Sequence, residues 1–169
     1  VNRYRNEPTV MAYDLRDSGD ADYAANSPSG SIFQRDDVLA WLAEVAALVR
    51  RNAPNQLITA GWRDDSAATV PLVDFVSFHN YESTDALRQE IANLKAATSR
   101  PVLLAAVGFS TDQFDELAQR QAYQRVFEAV QANDLAGWVV TTAFDYPLSV
   151  LCDTAECEPN TLPELQPRS

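Results

Sequence analysis

The sequence predicts an α/β fold in which parallel strands alternate with helices, and three observations carry that prediction. Five short apolar runs recur along the 169 residues. Amphipathic patterns with three- and four-residue spacing separate most of them. The runs are continuous rather than alternating, the pattern of strands covered on both faces. Strands that alternate with helices pair in parallel through crossovers.

The strand runs are TVMAYDL (9–15), QLITAGW (56–62), VDFVSFHNY (73–81), PVLLAAVGF (101–109) and GWVVTTAFDY (137–146). From Asp36 to Arg51 a helix is expected with Leu39, Leu42, Val45, Leu48 and Val49 on one face, and with Arg50 and Arg51 suited to its negative C-terminal end. A second runs from Asp85 to Ala97 on Leu87, Ile91 and Leu94. A third runs from Phe114 to Ala132 on Tyr123, Phe127 and Val130, with Asn133 near its stop. Asp36 and Asp85 fall at or near helix N-termini. The segment RDDSAATVPL (63–72) holds at most a short helical turn. SGDADYAANSPSGS (18–31) reads as a long loop after the first strand, at the end where α/β proteins place their chemistry. Residues 152–169 lack periodicity and form an irregular C-terminal tail; residues 1–151 form the folded unit.

Thirteen Lys and Arg against 24 Asp and Glu give a formal net charge of -11. Nucleic-acid binding is not expected, because phosphate neutralisation needs a clustered basic face. Neutral or cationic partners suit the chain better. No run of eighteen apolar residues appears, so no membrane insertion is expected. Cys152 and Cys157, the only cysteines, are spaced for a small disulfide loop, which would place the protein outside the cytoplasm; free thiols are the alternative. With no second pair and no adjoining His they make a poor zinc site, and neither a metal nor a cofactor is expected.

Four of these segments carry a family resemblance. RYRNEPTVMAYDL resembles the approach to the fourth strand of cellulase- and mannanase-like glycoside hydrolases, (β/α)8 barrels of the large retaining clan. VDFVSFHNY resembles the sixth strand, whose His-x-Tyr lines the sugar cleft. RPVLLAAVGFS resembles the seventh and GWVVTTAFDYP the eighth. The resemblance implies the C-terminal half of the barrel, strands four to eight: a partial (β/α)8 TIM barrel of five parallel strands with intervening helices. Five strands cannot close such a barrel. The remaining half is therefore expected in the same protein or in a partner chain.

The family's chemistry is missing from its expected places. Its fourth-strand Asn-Glu falls on Asp17 and Ser18, its seventh-strand Glu on Ala106, and its eighth-strand Trp on Thr141. Retaining glycosidases need two carboxyl groups, one as nucleophile and one as acid then base. Serine has no acid function near neutrality, and alanine offers no nucleophile. The triplet Asn6-Glu7-Pro8 imitates the family's acid/base motif, yet it precedes its strand and reads as a turn with Pro8 fixing the backbone.

Other acidic residues follow the strands: Asp17 and Asp20, Asp64 and Asp65, Glu82, and Asp145; Asp14 is placed within its strand. Solvated surface is their bland role. An inverting pair needs a separation of roughly 6.5–9.5 Å, which leaves Asp17 with Asp145 conceivable. His79, the only histidine, is either a satisfied cleft residue or a sugar-hydroxyl partner beside Tyr81. Trp62 could stack on a pyranose face, and packing explains it equally well. Trp41 and Trp138 suit core or interface. The candidate carbohydrate-binding set is thus Asp17, Trp62, His79, Tyr81 and Asp145. The expected function is a catalytically inactive glycosidase-like domain, carbohydrate-binding or structural, in an extracellular assembly. The alternative is an active hydrolase of β-linked polysaccharide with displaced carboxylates.

Overall fold

The computed structural model describes residues 1–24, 32–109 and 114–141. Five strands appear in order: β1 (Ala12–Asp14), β2 (Leu57–Thr59), β3 (Val76–Asn80), β4 (Val102–Val107) and β5 (Gly137–Val140). Three α-helices lie between them: α1 (Arg35–Asn52) after β1, α2 (Thr84–Ala97) after β3 and α3 (Glu116–Ala132) after β4. In place of a helix between β2 and β3 there is one short 3-10 turn, Ser66–Thr69, as the polar composition of residues 63–72 predicts.

Every strand pairing is parallel. β1 pairs with β2, and β3 with β4 and β4 with β5. A single bridge between Trp62 and Phe78 joins the two groups, and His79 N donates to Trp62 O at 2.9 Å. The order is therefore sequential, β1 to β5, as in consecutive strands of a barrel wall.

β3 is buried along its whole length, so its continuous apolar pattern reports cover on both faces. The main core joins Phe78, Val76, Leu104 and Val102 of the sheet to Leu42 of α1, to Leu87, Ile91 and Leu94 of α2, and to Val126 and Val130 of α3. Ser83 caps α2, accepting from Ala86 N at 3.2 Å, and Asp115 caps α3, accepting from Ala118 N at 2.7 Å.

Two helix faces are rotated from expectation. On α1 the buried residues are Val38, Leu42, Ala46 and Val49, while Leu48 is exposed. On α3 they are Ala122, Val126, Ala129 and Val130, while Phe127 is exposed. Each buried stripe thus mixes alanines with branched aliphatic residues. Trp41 also lies exposed on α1 rather than in the core.

Among the described residues β1 pairs only with β2 and β5 only with β4. Met11, beside β1, is 66% exposed, and Val139 of β5 is 51% exposed. Both outer edges of this partial wall thus present backbone and apolar side chains. The tail from residue 152, with Cys152 and Cys157, and Asp145 lie outside the described residues.

Candidate functional site

The C-terminal ends of β1, β2 and β3 converge on His79. This residue is the fourth of β3, is 6% exposed, and has protein groups at both ring nitrogens. Its Nε2 lies 3.1 Å from Asp17 Oδ1, and its Nδ1 lies 3.4 Å from Ser18 Oγ. The Tyr81 ring meets it edge-on, with centroids 6.4 Å apart. Tyr81 in turn stands under the Arg63 guanidinium and reaches Thr141 Oγ1 at 3.4 Å.

Local backbone explains why these side chains meet. β1 ends at Asp14, and Ser18 then adopts a left-handed conformation (φ 50°, ψ 39°) before the 3-10 turn Gly19–Asp22. Ser18 N donates to Gly61 O at 2.7 Å, which ties this turn to the end of β2. Gly61 has to be glycine. A Cβ there would lie 2.8 Å from His79 Nε2 and 3.0 Å from Asp14 Oδ2.

Asp14 is the residue that the sequence placed inside its strand and away from the rim. It is the last residue of β1, and its carboxylate accepts from Gly61 N at 3.1 Å and from Arg16 N at 3.2 Å. Burial of the carboxyl group raises its pKa above the ordinary 3.8, and the nearby Asp17 charge adds to that; the two backbone bonds and His79 oppose it. The residue as a whole is exposed, and it is the Gly61 and Arg16 backbone that closes on its carboxylate.

Asp20 was likewise expected to be an ordinary loop acid. It is 3% exposed, and its Oδ2 accepts three consecutive backbone N–H groups: Arg63 at 2.9 Å, Asp64 at 2.5 Å and Asp65 at 3.0 Å. The loop after β2 is therefore organised by a carboxylate from the loop after β1. Asp65 continues the tie, receiving Tyr23 Oη at 2.7 Å and Arg35 Nε at 2.6 Å. Burial pulls the Asp65 carboxyl up, but those two bonds outweigh it and hold its pKa below the usual value.

Trp62 is not a sugar platform. It is fully buried, and its indole N–H donates to Arg16 O at 3.2 Å. Packing under the rim, the other role open to it, is the one it fills. Glu7 also sits as expected, in a turn before β1 where Thr9 donates to its carboxylate. Those bonds lower its pKa. Of the candidate set, Asp17, His79 and Tyr81 come together, while Trp62 lies beneath them.

The two residues that the resemblance aligns with the family's glutamates also meet at this histidine. Ser18 touches its Nδ1, and Ala106 is its register partner on β4. No group of three or more His, Cys, Asp and Glu suited to hold a metal ion occurs among the described residues.

No protein-family model and no curated protein sequence matches the chain. Solved structures do match it. A family 5, subfamily 18 glycoside hydrolase from Streptomyces cattleya, in complex with Manβ1-4GlcNAc, aligns with a TM-score of 0.75 at 18% identity over 96% of this chain and 44% of its own. The endo-1,4-β-D-mannanase of Thermotoga petrophila gives a TM-score of 0.61 at 17% identity, over 81% of this chain and 46% of its own. The endo-1,4-β-mannanase of Rhizomucor miehei gives 0.57 at 18% identity, over 85% and 48%. The fold is similar to that of TIM-barrel glycoside hydrolases. The chain spans less than half the length of each of these three enzymes, and at such identities the likeness concerns the fold alone.

Proposed function

We propose that this chain is a glycosidase-like domain that binds a β-linked saccharide at the His79 rim without cleaving it. One observation carries the reading: Ser18 and Ala106, which the resemblance aligns with the two catalytic glutamates, both adjoin His79, and neither has a carboxyl group. A retaining mechanism needs two carboxyl groups about 5 Å apart, one as nucleophile and one as proton donor. His79, Tyr81 and Asp17 remain as hydroxyl partners, with Arg63 over the Tyr81 ring. Asp17 and Glu82 are well exposed there, which favours a neutral glycan over an anionic one.

The exposed edges of β1 and β5, with the chain spanning less than half of its structural neighbours, support a second part to the proposal. The rest of the barrel is supplied by the same protein or by a partner chain, in an extracellular setting. The Cys152–Cys157 spacing supports that location, and a thiol titration of the unreduced protein tests it: two reactive thiols would refute the disulfide.

A displaced-carboxylate glycosidase is the competing reading, favoured by one observation. The Asp14 carboxyl, its pKa raised by burial, lies close enough to Asp17 for the two charges to interact, and acid/base chemistry needs a carboxyl that holds its proton more readily than usual. Titration with mannobiose and cellobiose, beside a hydrolysis assay on mannan, cellulose and xylan, separates the two. Saturable binding without product supports the proposal; hydrolysis abolished by Asp14→Asn or Asp17→Asn overturns it.

A further inference from the structure

Glycan binding at His79 and Asp17 leaves the Ser18 hydroxyl without a role, yet with those two residues it forms a relay. Asp17 Oδ1 is 3.1 Å from Nε2, so that nitrogen donates its N–H to the carboxylate, and the lone pair of Nδ1 faces Ser18 Oγ at 3.4 Å. A hydroxyl, an imidazole that accepts its proton, and a carboxylate that fixes the tautomer are the parts of a serine nucleophile. Such a constellation is recognised by geometry and roles rather than by chain order.

A second observation points the same way. Ser18 is one of two non-glycine residues with positive φ among the described residues, and it stands in the loop after β1, just before the 3-10 turn Gly19–Asp22. Nucleophilic serines of α/β hydrolases stand on sharp, strained turns of that kind, which push the hydroxyl clear of the sheet. Backbone strain of this sort collects at functional sites. Gly61 leaves room for the arrangement, since a Cβ there would lie 2.8 Å from His79 Nε2.

We propose that Ser18 is an acyl-accepting nucleophile activated by His79, with Asp17 as the positioning residue, and that the substrate is an uncharged carboxylic ester. His79 also borders a cavity of about 180 Å³ lined by Arg63, Tyr81, Glu82 and Glu90, of which Ser18 and Asp17 are not lining residues. Its acidic lining disfavours an anionic ester.

In the first step Ser18 Oγ bonds to the ester carbonyl carbon and its proton passes to His79 Nδ1. The ester C–O bond then breaks, and the leaving alkoxide takes that proton as an alcohol. Water cleaves the acyl-serine with His79 again as base, giving a carboxylic acid and restoring the hydroxyl. Ester and water are consumed; acid and alcohol are released, with no redox partner.

The test is labelling of the full chain by a fluorophosphonate probe, read by intact mass and peptide mapping, beside p-nitrophenyl acetate hydrolysis. One equivalent of label on Ser18 is expected. Ser18→Ala and Ser18→Gly should both lose it, the glycine variant keeping the left-handed backbone. Asp17→Asn should slow labelling at least tenfold with an unchanged thermal midpoint, and Asp17→Glu should recover part of the rate. No label, label on another residue, or an undiminished rate in folded Asp17→Asn would overturn the proposal.

Discussion

Replacing Asp20 with alanine should unlock the loop after β2. The Asp20 carboxylate, 3% exposed, accepts three consecutive backbone N–H groups, from Arg63, Asp64 and Asp65, at 2.9, 2.5 and 3.0 Å. Alanine leaves all three without that acceptor. Hydrogen bonds to charged groups contribute about 1.5–3 kcal/mol each, and a buried donor left unsatisfied costs about 1–3 kcal/mol. Water can reach part of an opened loop, and neighbouring terms do not add in full. The expected loss is therefore about 3–5 kcal/mol. In a chain of this length 1 kcal/mol moves the thermal midpoint by roughly 2–4 °C, so a fall of about 6–20 °C is predicted. Urea denaturation of the wild type and Asp20→Ala should give the same free-energy difference from the midpoints, with the slope unchanged. Asp20→Asn, which keeps one acceptor oxygen, should lie between the two. A loss in Asp20→Ala below about 1 kcal/mol would refute the claim that this carboxylate organises the rim.

Gly61→Ala puts a Cβ 2.8 Å from His79 Nε2; a loss of about 1–3 kcal/mol in urea unfolding, with weakened saccharide binding, is expected. Trp62→Phe removes the indole N–H donated to Arg16 O and should lower the thermal midpoint while leaving saccharide affinity within twofold, whereas Tyr81→Ala should weaken affinity without a comparable stability loss. The reverse ranking would restore Trp62 as a sugar contact. Asp14 supplies a pH prediction. Its folded pKa is raised, so above its unfolded pKa the folded state holds a proton that the unfolded state has released. Its contribution to stability is present at low pH and is lost as pH rises through the folded value. Denaturant midpoints of wild type and Asp14→Asn measured upward from about pH 4 should therefore move in the variant's favour as pH increases; an opposite trend would contradict the assigned burial.

The sequence carried the alternation of strands and helices because it lies in local pattern. Continuous apolar runs mark β3 and β4 as covered on both faces, and the polar stretch at 63–72 shows why no helix joins β2 to β3. The placement of Glu7 before its strand was legible for the same reason. Less legible was anything decided by approach in three dimensions. Apolar size guides periodicity, so Leu48 and Phe127 read as core, yet both are exposed while Ala46, Ala122 and Ala129 are buried. Trp62 follows β2 where a platform would stand, and only the Arg16 carbonyl shows that its polar edge is already engaged. The roles of Asp14 and Asp20 depend on backbone N–H groups 43 to 47 residues away, beyond any local signal. Glycine was the available hint at Gly61, since a strand end without a Cβ marks a close approach.

The central claim is that Ser18 and Ala106 leave a glycosidase fold with a saccharide site and no glycosidic cleavage. Mannobiose titration followed by NMR, with the product of a long incubation analysed in the same tube, tests it most directly. The account predicts saturable shifts confined to the His79, Tyr81 and Asp17 signals and no free mannose. Release of mannose that disappears in Asp14→Asn or Asp17→Asn would contradict it.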